Sequence, residues 1–168
     1  MNEIENILKR VRDTKALEFG VGAMKKIPAM FDSLFPGKTA VVVADKITYE
    51  IAGKTVHGYL NDAGINTDQP FVFTDPGLYA EWSYLEQLES YLKERDVIAV
   101  AVGLGVINDL TKLASYHLGR RYIIVGTAAS MDGYTSYGAS VTYHGNKQTF
   151  DCPAPLGMVM DPAVAAKA

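Results

Sequence analysis

Apolar residues fall along this chain in two alternating rhythms. Four continuous runs, Thr39-Ala-Val-Val-Val-Ala44, Phe71-Val-Phe73, Val97-Ile-Ala-Val-Ala-Val102 and Tyr122-Ile-Ile-Val125, are too short for helices and rich in β-branched or aromatic side chains. They read as strands buried on both faces. Leu17, Phe19 and Val21 alternate as a strand does, and Met158-Val-Met160 forms a last short apolar segment. Between these runs the spacing turns helical: Met24, Ile27, Met30, Phe31 and Leu34; Ile47, Ile51, Val56, Tyr59, Leu60 and Ala63; Leu78, Trp82, Leu85, Leu88 and Leu92; then Val106, Ile107, Leu110, Leu113, Ala114 and Leu118, with Gly119 placed as a C-cap. Ile4, Ile7, Leu8 and Val11 make a short amphipathic helix outside this alternation. Strands alternating with helices predict an α/β, Rossmann-like fold: a mainly parallel sheet with helices on both faces. Ala139–His144 and Lys147–Phe150 flank Gly145-Asn146 and predict a β-hairpin turning on that Gly-Asn pair. Pro162 suits the first turn of a final helix with Asp161 as its cap, and only six residues follow it. A helix so short and unpartnered leads to the expectation of an N-terminal half of something longer.

Composition narrows the class. A chain of 168 residues suits one domain, and 48% hydrophobic with 21% charged residues describes a folded globular chain rather than a disordered one. The net charge of −3 offers no general attraction to nucleic acid or anionic membranes, so an anion site has to be local. Cys152 stands alone, which rules out an intrachain disulfide and suits a reducing, cytoplasmic setting. With no apolar run of about 18 residues and no basic-then-apolar leader, neither a membrane span nor a signal peptide is expected.

The candidate chemistry gathers after the strands. Gly103-Leu104-Gly105 turns from a strand into a helix, which leaves backbone N–H groups at a helix N-terminus able to hold a phosphate. Taken alone, a Gly-x-Gly turn is weak evidence of a phosphate cradle. Asp45 ends its strand and has two open readings: a carboxylate accepting hydrogen bonds from an adenosine ribose and repelling a 2′-phosphate, or the N-cap of the next helix. The loops holding Asp45, Gly103–Gly105 and Gly126–Asp132 all leave carboxyl ends of strands, where such sheets bind ligands. Asp109 and Lys112, three apart, read as a solvated pair on one helix face. Asp132-Gly133 also reads as a turn and Asp161 as a cap. Tyr134 and Tyr137 read as packed loop residues or as stacking partners for a ligand. Cys152 has no neighbour that would mark it as a nucleophile. His57, His117 and His144 have no ligand-like spacing.

Three blocks carry a resemblance. Gly103-Leu-Gly-Val-Ile-Asn-Asp-Leu-Thr-Lys112, Gly126-Thr-Ala-Ala-Ser-Met-Asp-Gly-Tyr134 and Val159-Met-Asp-Pro162 resemble successive motifs of the glycerol-1-phosphate dehydrogenase family, within the wider group of metal-dependent alcohol dehydrogenases, glycerol dehydrogenases and dehydroquinate synthases. The similarity runs from about Phe19 to Ala168 and covers that family's N-terminal domain only, so residues 1–168 are expected to be one nucleotide-binding domain without the family's helical C-terminal domain. The resemblance implies reduction of dihydroxyacetone phosphate to sn-glycerol 1-phosphate by NADH or NADPH, with a divalent metal, zinc or nickel, polarising the ketone. By position it implies Gly103, Gly105, Asn108 and Asp109 at the cofactor, Thr127 and Ser130 lining the dinucleotide, and Asp45 at the adenosine ribose. It further implies Asp132 as the catalytic, substrate-side carboxylate and Asp161 as one metal ligand, the family's two other ligands being histidines of the second domain. Leu104 stands where the wider group commonly has glycine. The similar Gly-Val-Ile-x-Asp-Leu pattern keeps a dehydroquinate synthase-like cyclase open, although Gly138-Ala139 replaces that group's Gly-Lys pair, and a non-catalytic nucleotide-binding module remains a third reading. With one metal ligand, the chain alone is expected to bind nucleotide and catalyse nothing. Apolar surface around Asp132 to Asp161 is expected to drive assembly into a homo-oligomer.

Overall fold

A computed structural model describes residues 3–128 and 133–166. Ten segments build the sheet and its layers up to the central glycine turn: α1 (Glu3–Arg10), β1 (Ala16–Phe19), a 3-10 turn (Ala23–Lys26) running into α2 (Ile27–Leu34), β2 (Thr39–Asp45), α3 (Lys46–Thr48), α4 (Lys54–Asp62), β3 (Phe71–Phe73), α5 (Trp82–Lys93) and β4 (Val97–Gly103). Then come α6 (Gly105–His117), β5 (Ile123–Gly126), β6 (Ala139–Tyr143), β7 (Asn146–Phe150), β8 (Gly157–Met160) and α7 (Pro162–Ala165).

Six strands pair in the order β1-β8-β5-β4-β2-β3, every pair parallel. Burial on both faces explains why β2 and β4 are apolar at nearly every position. Val41 and Val43 of β2 with Ala99 and Ala101 of β4 face α5 and α6, where Leu85, Leu88, Leu110 and Leu113 close the layer. Ala40, Val42 and Ala44 with Ile98, Val100 and Val102 face α2 and α4, against Ile27, Phe31, Val56 and Leu60. The strand period of two thus divides one apolar run between two cores.

Three local features differ from the sequence reading. The helical stripe after Asp45 is not one helix: a π turn (Tyr49–Gly53) separates α3 from α4, and Gly53 admits the Tyr49 ring where a Cβ would meet its Cδ2 at 2.6 Å. Leu78 lies before α5, which starts at Trp82 because the Glu81 side chain accepts the Ser83 N–H at 2.8 Å as an N-cap. The hairpin turns one residue early. Tyr143 pairs with Asn146, leaving His144 and Gly145 as the two-residue loop with φ of 49° and 77°, and histidine tolerates that left-handed region better than most side chains. Trp82 holds the hairpin to α5, with ring centroids 4.5 Å from Tyr143 and 5.3 Å from Phe150. Among the described residues, no helix is long and apolar enough to cross a membrane.

Gly58 lies inside α4 at an ordinary helical φ, with open space where a Cβ would go. Gly58→Ala is expected to raise unfolding free energy by about 0.5–1 kcal/mol, measured by urea denaturation, because alanine loses less backbone entropy on entering a helix. A fall in stability would show that this helix face is covered.

Candidate functional site

The carboxyl ends of β2, β3 and β4 open onto a cavity of about 490 Å³. Its walls are mostly apolar, from Ile47, Phe73, Leu78, Leu104, Val106 and Ile107, with Asp45, Thr48 and Asp75 as polar points. Asp45 satisfies one of its two readings here. Its Oδ1 accepts the N–H groups of Ile47 at 2.8 Å and Thr48 at 2.9 Å, while the Thr48 hydroxyl accepts the Asp45 N–H at 3.2 Å, completing a capping box. Both cap bonds fall on one oxygen, and the same residue lines the cavity, so capping does not remove the carboxylate from it. Across the cavity, Asp75 accepts the Tyr84 hydroxyl and the Gly77 N–H, and these bonds hold its carboxyl below the usual range and push the Tyr84 phenol up to about 12.

The glycine turn stands beside this cavity. Gly103 is buried at the end of β4, and a Cβ there would lie 2.8 Å from both Cβ and Cγ1 of Ile107, so its lack of a side chain lets the first turn of α6 sit directly on the strand end. Leu104, 40% exposed, occupies the N-cap position of α6 and offers no side-chain cap. The N–H groups of Gly105, Val106 and Ile107 therefore begin a thirteen-residue helix with no side chain to satisfy them. Gly105 and Val106 also border a second cavity of about 440 Å³, closed by Asp109, Ser140, Thr142 and Lys147.

Other expected contacts lie deeper. Asn108 is 1% exposed, its Oδ1 accepting the Tyr122 hydroxyl at 2.7 Å and its Nδ2 donating to the Tyr134 carbonyl at 3.3 Å. That places its side chain inside the core, as a brace for the Tyr134 loop, and corrects the expectation of a cofactor contact. Lys112, read as half of a solvated pair, is also 1% exposed and donates to the carbonyls of Ser136 at 2.8 Å and Gly138 at 2.9 Å. Burial pulls its ammonium below the ordinary lysine range, an effect that the Asp109 carboxylate opposes. Asp109 is half-buried, and burial raises its pKa while Lys112 and a hydrogen bond from the Ser140 backbone lower it. Thr127 is fully buried, its N–H 3.4 Å from the Gly103 carbonyl and its hydroxyl without a partner. Ser130 and Asp132 lie outside the described residues. Tyr134 is a packed loop residue, its ring against Gly126 and its hydroxyl 3.2 Å from both N and O of Ala128. Cys152 is fully buried, and burial pushes its thiol up to about 11, which removes it from nucleophilic chemistry near neutral pH.

Asp161 is 4% exposed at the end of β8. Its Oδ1 accepts the Ala163 N–H at 3.1 Å as the cap of α7, and its Oδ2 accepts the Gly22 N–H at 2.9 Å. Among the described residues no group of three or more His, Cys, Asp or Glu side chains could hold a metal ion. One carboxylate does not fit a divalent centre, which needs about three protein ligands.

The family model for iron-containing alcohol dehydrogenases matches residues 18–168. The chain belongs to the iron-containing alcohol dehydrogenase family. It is 41% identical over 124 residues to a glycerol-1-phosphate dehydrogenase (NAD(P)+) of Halalkalibacterium halodurans, an alignment covering 71% of this chain and 31% of the relative. It is 33% identical over 149 residues to that of Methanosarcina mazei, covering 89% and 41%. Among solved structures, a probable glycerol dehydrogenase from Sinorhizobium meliloti superposes with a TM-score of 0.74 at 25% identity, over 92% of this chain and 41% of that one. This member of the alcohol dehydrogenase family thus spans about a third of the length of the curated relatives it matches.

The sequence reading missed Thr48, Leu78 and Asp75 as parts of the site, and it missed Lys112. For Lys112 a signal existed: Asn108, Thr111, Lys112 and Ser115 form a polar stripe at i, i+3, i+4 and i+7, and all four are buried. The Asp45 cap is directly testable. Asp45→Ala is expected to cost about 1 kcal/mol of stability in urea denaturation, whereas Asp45→Asn, an equally good cap, changes it by a few tenths. Equal losses for both would show that charge, and not the capping oxygen, holds this helix start.

Proposed function

We propose that residues 1–168 are the nucleotide-binding domain of an NAD(P)-dependent oxidoreductase of the glycerol-1-phosphate dehydrogenase type, which reduces dihydroxyacetone phosphate to sn-glycerol 1-phosphate. The observation that carries this reading is the first turn of α6, free of any side-chain cap and placed between Asp45 and Thr127 at the ends of neighbouring strands. The relatives' printed activity narrows the substrate class.

In this reading the adenosine enters the 490 Å³ cavity, with Leu78, Leu104 and Phe73 against the base and Asp45 accepting from the ribose hydroxyls. The carboxylate disfavours a 2′-phosphate, which makes NADH the better ligand. The pyrophosphate takes the N–H groups that follow Gly103 and Gly105. The second half of the dinucleotide then extends over β5, where Thr127 and Ser130 line it, and Asp132 faces the substrate. When bound, the cofactor supplies the hydride; the chain's part is to orient it and exclude water. Asp161 can give one ligand to a divalent cation, with zinc or nickel as the proposed metals, whose other ligands lie outside the described residues. The domain alone is therefore proposed to bind nucleotide without turnover. A cytoplasmic setting belongs to the same proposal.

Calorimetric titration of the 168-residue chain tests this. NADH is expected to bind about tenfold more tightly than NADPH, a difference of about 1.4 kcal/mol, and Asp45→Asn is expected to narrow that ratio while leaving the helix cap in place. Absence of binding by both dinucleotides would overturn the proposal.

Self-association follows from the surface beside Asp161. Phe19 and Val21 are 67% and 83% exposed on the segment that Asp161 holds through Gly22. A concentration-dependent dimer or larger homo-oligomer is expected in sedimentation velocity, diminished by Phe19→Ser with Val21→Ser; a monomer throughout the micromolar range would exclude it.

A further inference from the structure

We propose that Lys112 is a positioning residue, a buried latch that fixes the 133–138 loop to α6 and so sets where the second half of a bound dinucleotide lies. The coupling to nucleotide rests on the function proposed above; the latch itself rests on geometry alone.

Lys112 Nζ donates to Ser136 O at 2.8 Å and to Gly138 O at 2.9 Å. Neither bond is available to solvent, because the side chain is 1% exposed. Access of that kind excludes Lys112 from touching a ligand. One turn earlier on the same face, Asn108 holds the Tyr134 carbonyl, so two residues of one helix bind three carbonyls of one loop. Tyr134 passes the constraint on. Its ring occupies the space that Gly126 leaves empty, where a Cβ would meet Cζ at 3.0 Å, and its hydroxyl bonds to both N and O of Ala128. Ala128 follows Thr127 at the end of β5, so the far end of the latch is the floor of the site beyond the pyrophosphate turn.

A rigid helix makes this a ruler. The first turn of α6 offers its N–H groups at Gly105, and Lys112 lies seven residues on, about 10 Å along the axis. The adenosine cavity covers β2, β3 and β4, whereas Thr127 follows β5 on the other side of β4. A dinucleotide anchored at the β4 turn has to lay its second half over the segment that the latch positions. Burying an ammonium is unfavourable unless its protons are bonded, and here two go to carbonyls that have few other donors nearby.

Lys112→Met keeps length and volume and removes the N–H groups, and the test is calorimetry with two probes, ADP and NADH, together with amide hydrogen exchange. ADP uses only the cavity and the pyrophosphate turn, so its affinity is expected to stay within about twofold, while that of NADH falls about tenfold. Exchange at the Ser136 and Gly138 amides, bonded to Gly133 O and Cys152 O, is expected to accelerate while that of Ile107 to Leu110 holds. Equal losses for ADP and NADH, or unchanged NADH binding, would overturn the coupling. Unchanged exchange at 136 and 138 would overturn the latch. A wild-type chain that binds neither probe would overturn the nucleotide reading and the coupling with it, and faster exchange in Lys112→Met would then support the latch alone. Should Lys112→Met fail to fold, Gly138→Ala carries the same test. It leaves Lys112 in place but strains a φ of +84° and presses a Cβ to 3.2 Å from Thr149 Cγ2, displacing the carbonyl that Lys112 holds.

Discussion

The close seating of α6 on the end of β4 is the contact from which the carboxyl edge of the sheet is built. Gly103 and Gly126 are direct neighbours in register across β4 and β5. Each lacks the Cβ that would obstruct the layer on that side: the first admits Ile107, the second admits Tyr134 and Met160, and all three belong to one core cluster. Two adjacent glycines thus make a trough in the sheet surface. The helix can drop into it only because nothing projects there, and close approach brings the helix start level with the strand ends, where free N–H groups face an open cavity. A methyl group at Gly103 would lift the helix start away from that edge, since the clashing atoms are near the root of Ile107 and cannot swing aside.

The same helix has a second duty on its inner side. Asn108, Thr111, Lys112 and Ser115 bury a polar stripe in an element otherwise packed with leucine. Such a stripe is costly in a hydrophobic layer, and it is offset only where facing groups need donors. The 133–138 loop is such a partner: irregular backbone packed on a core presents carbonyls that no strand neighbour satisfies. Lysine suits the task better than a neutral donor because one ammonium serves two carbonyls, and because Asp109, one turn away, lowers the cost of the buried charge.

Much of this was legible beforehand. Strands buried on both faces write themselves as apolar runs, so β2, β4 and β5 and the helices between them were readable from period alone, as was the convergence of three loops at one edge. What failed was anything requiring knowledge of the facing surface. Spacing put Asn108 and Lys112 on one side of a helix, but spacing does not say whether that side meets water, a ligand or a loop. The hairpin turn slipped by one residue because Gly145-Asn146 and His144-Gly145 both offer positive φ, and only the pairing of Tyr143 with Asn146 decides between them. The π turn was invisible because Ile51 and Val56 keep an apolar stripe through it. Ser130 and Asp132 fall outside the described residues, so their roles stand as proposed.

Asp45 and Asp161 show why the choice between cap and functional residue was misframed. Each ends a parallel strand, each caps the helix that follows, and each lies at the edge where ligands enter. A carboxylate at such a position is oriented by the N–H groups it accepts: Asp45 through one oxygen, Asp161 through both. A carboxylate oxygen has a second lone-pair direction after accepting one hydrogen bond, so capping uses up neither group. It removes rotamer freedom that a ligand would otherwise have to remove on binding. The structural role is therefore part of the functional one. The two aspartates sit on opposite sides of the β4 turn, on β2 and β8, and the spacing between the ends of a ligand spanning them is set by the strands of the sheet itself.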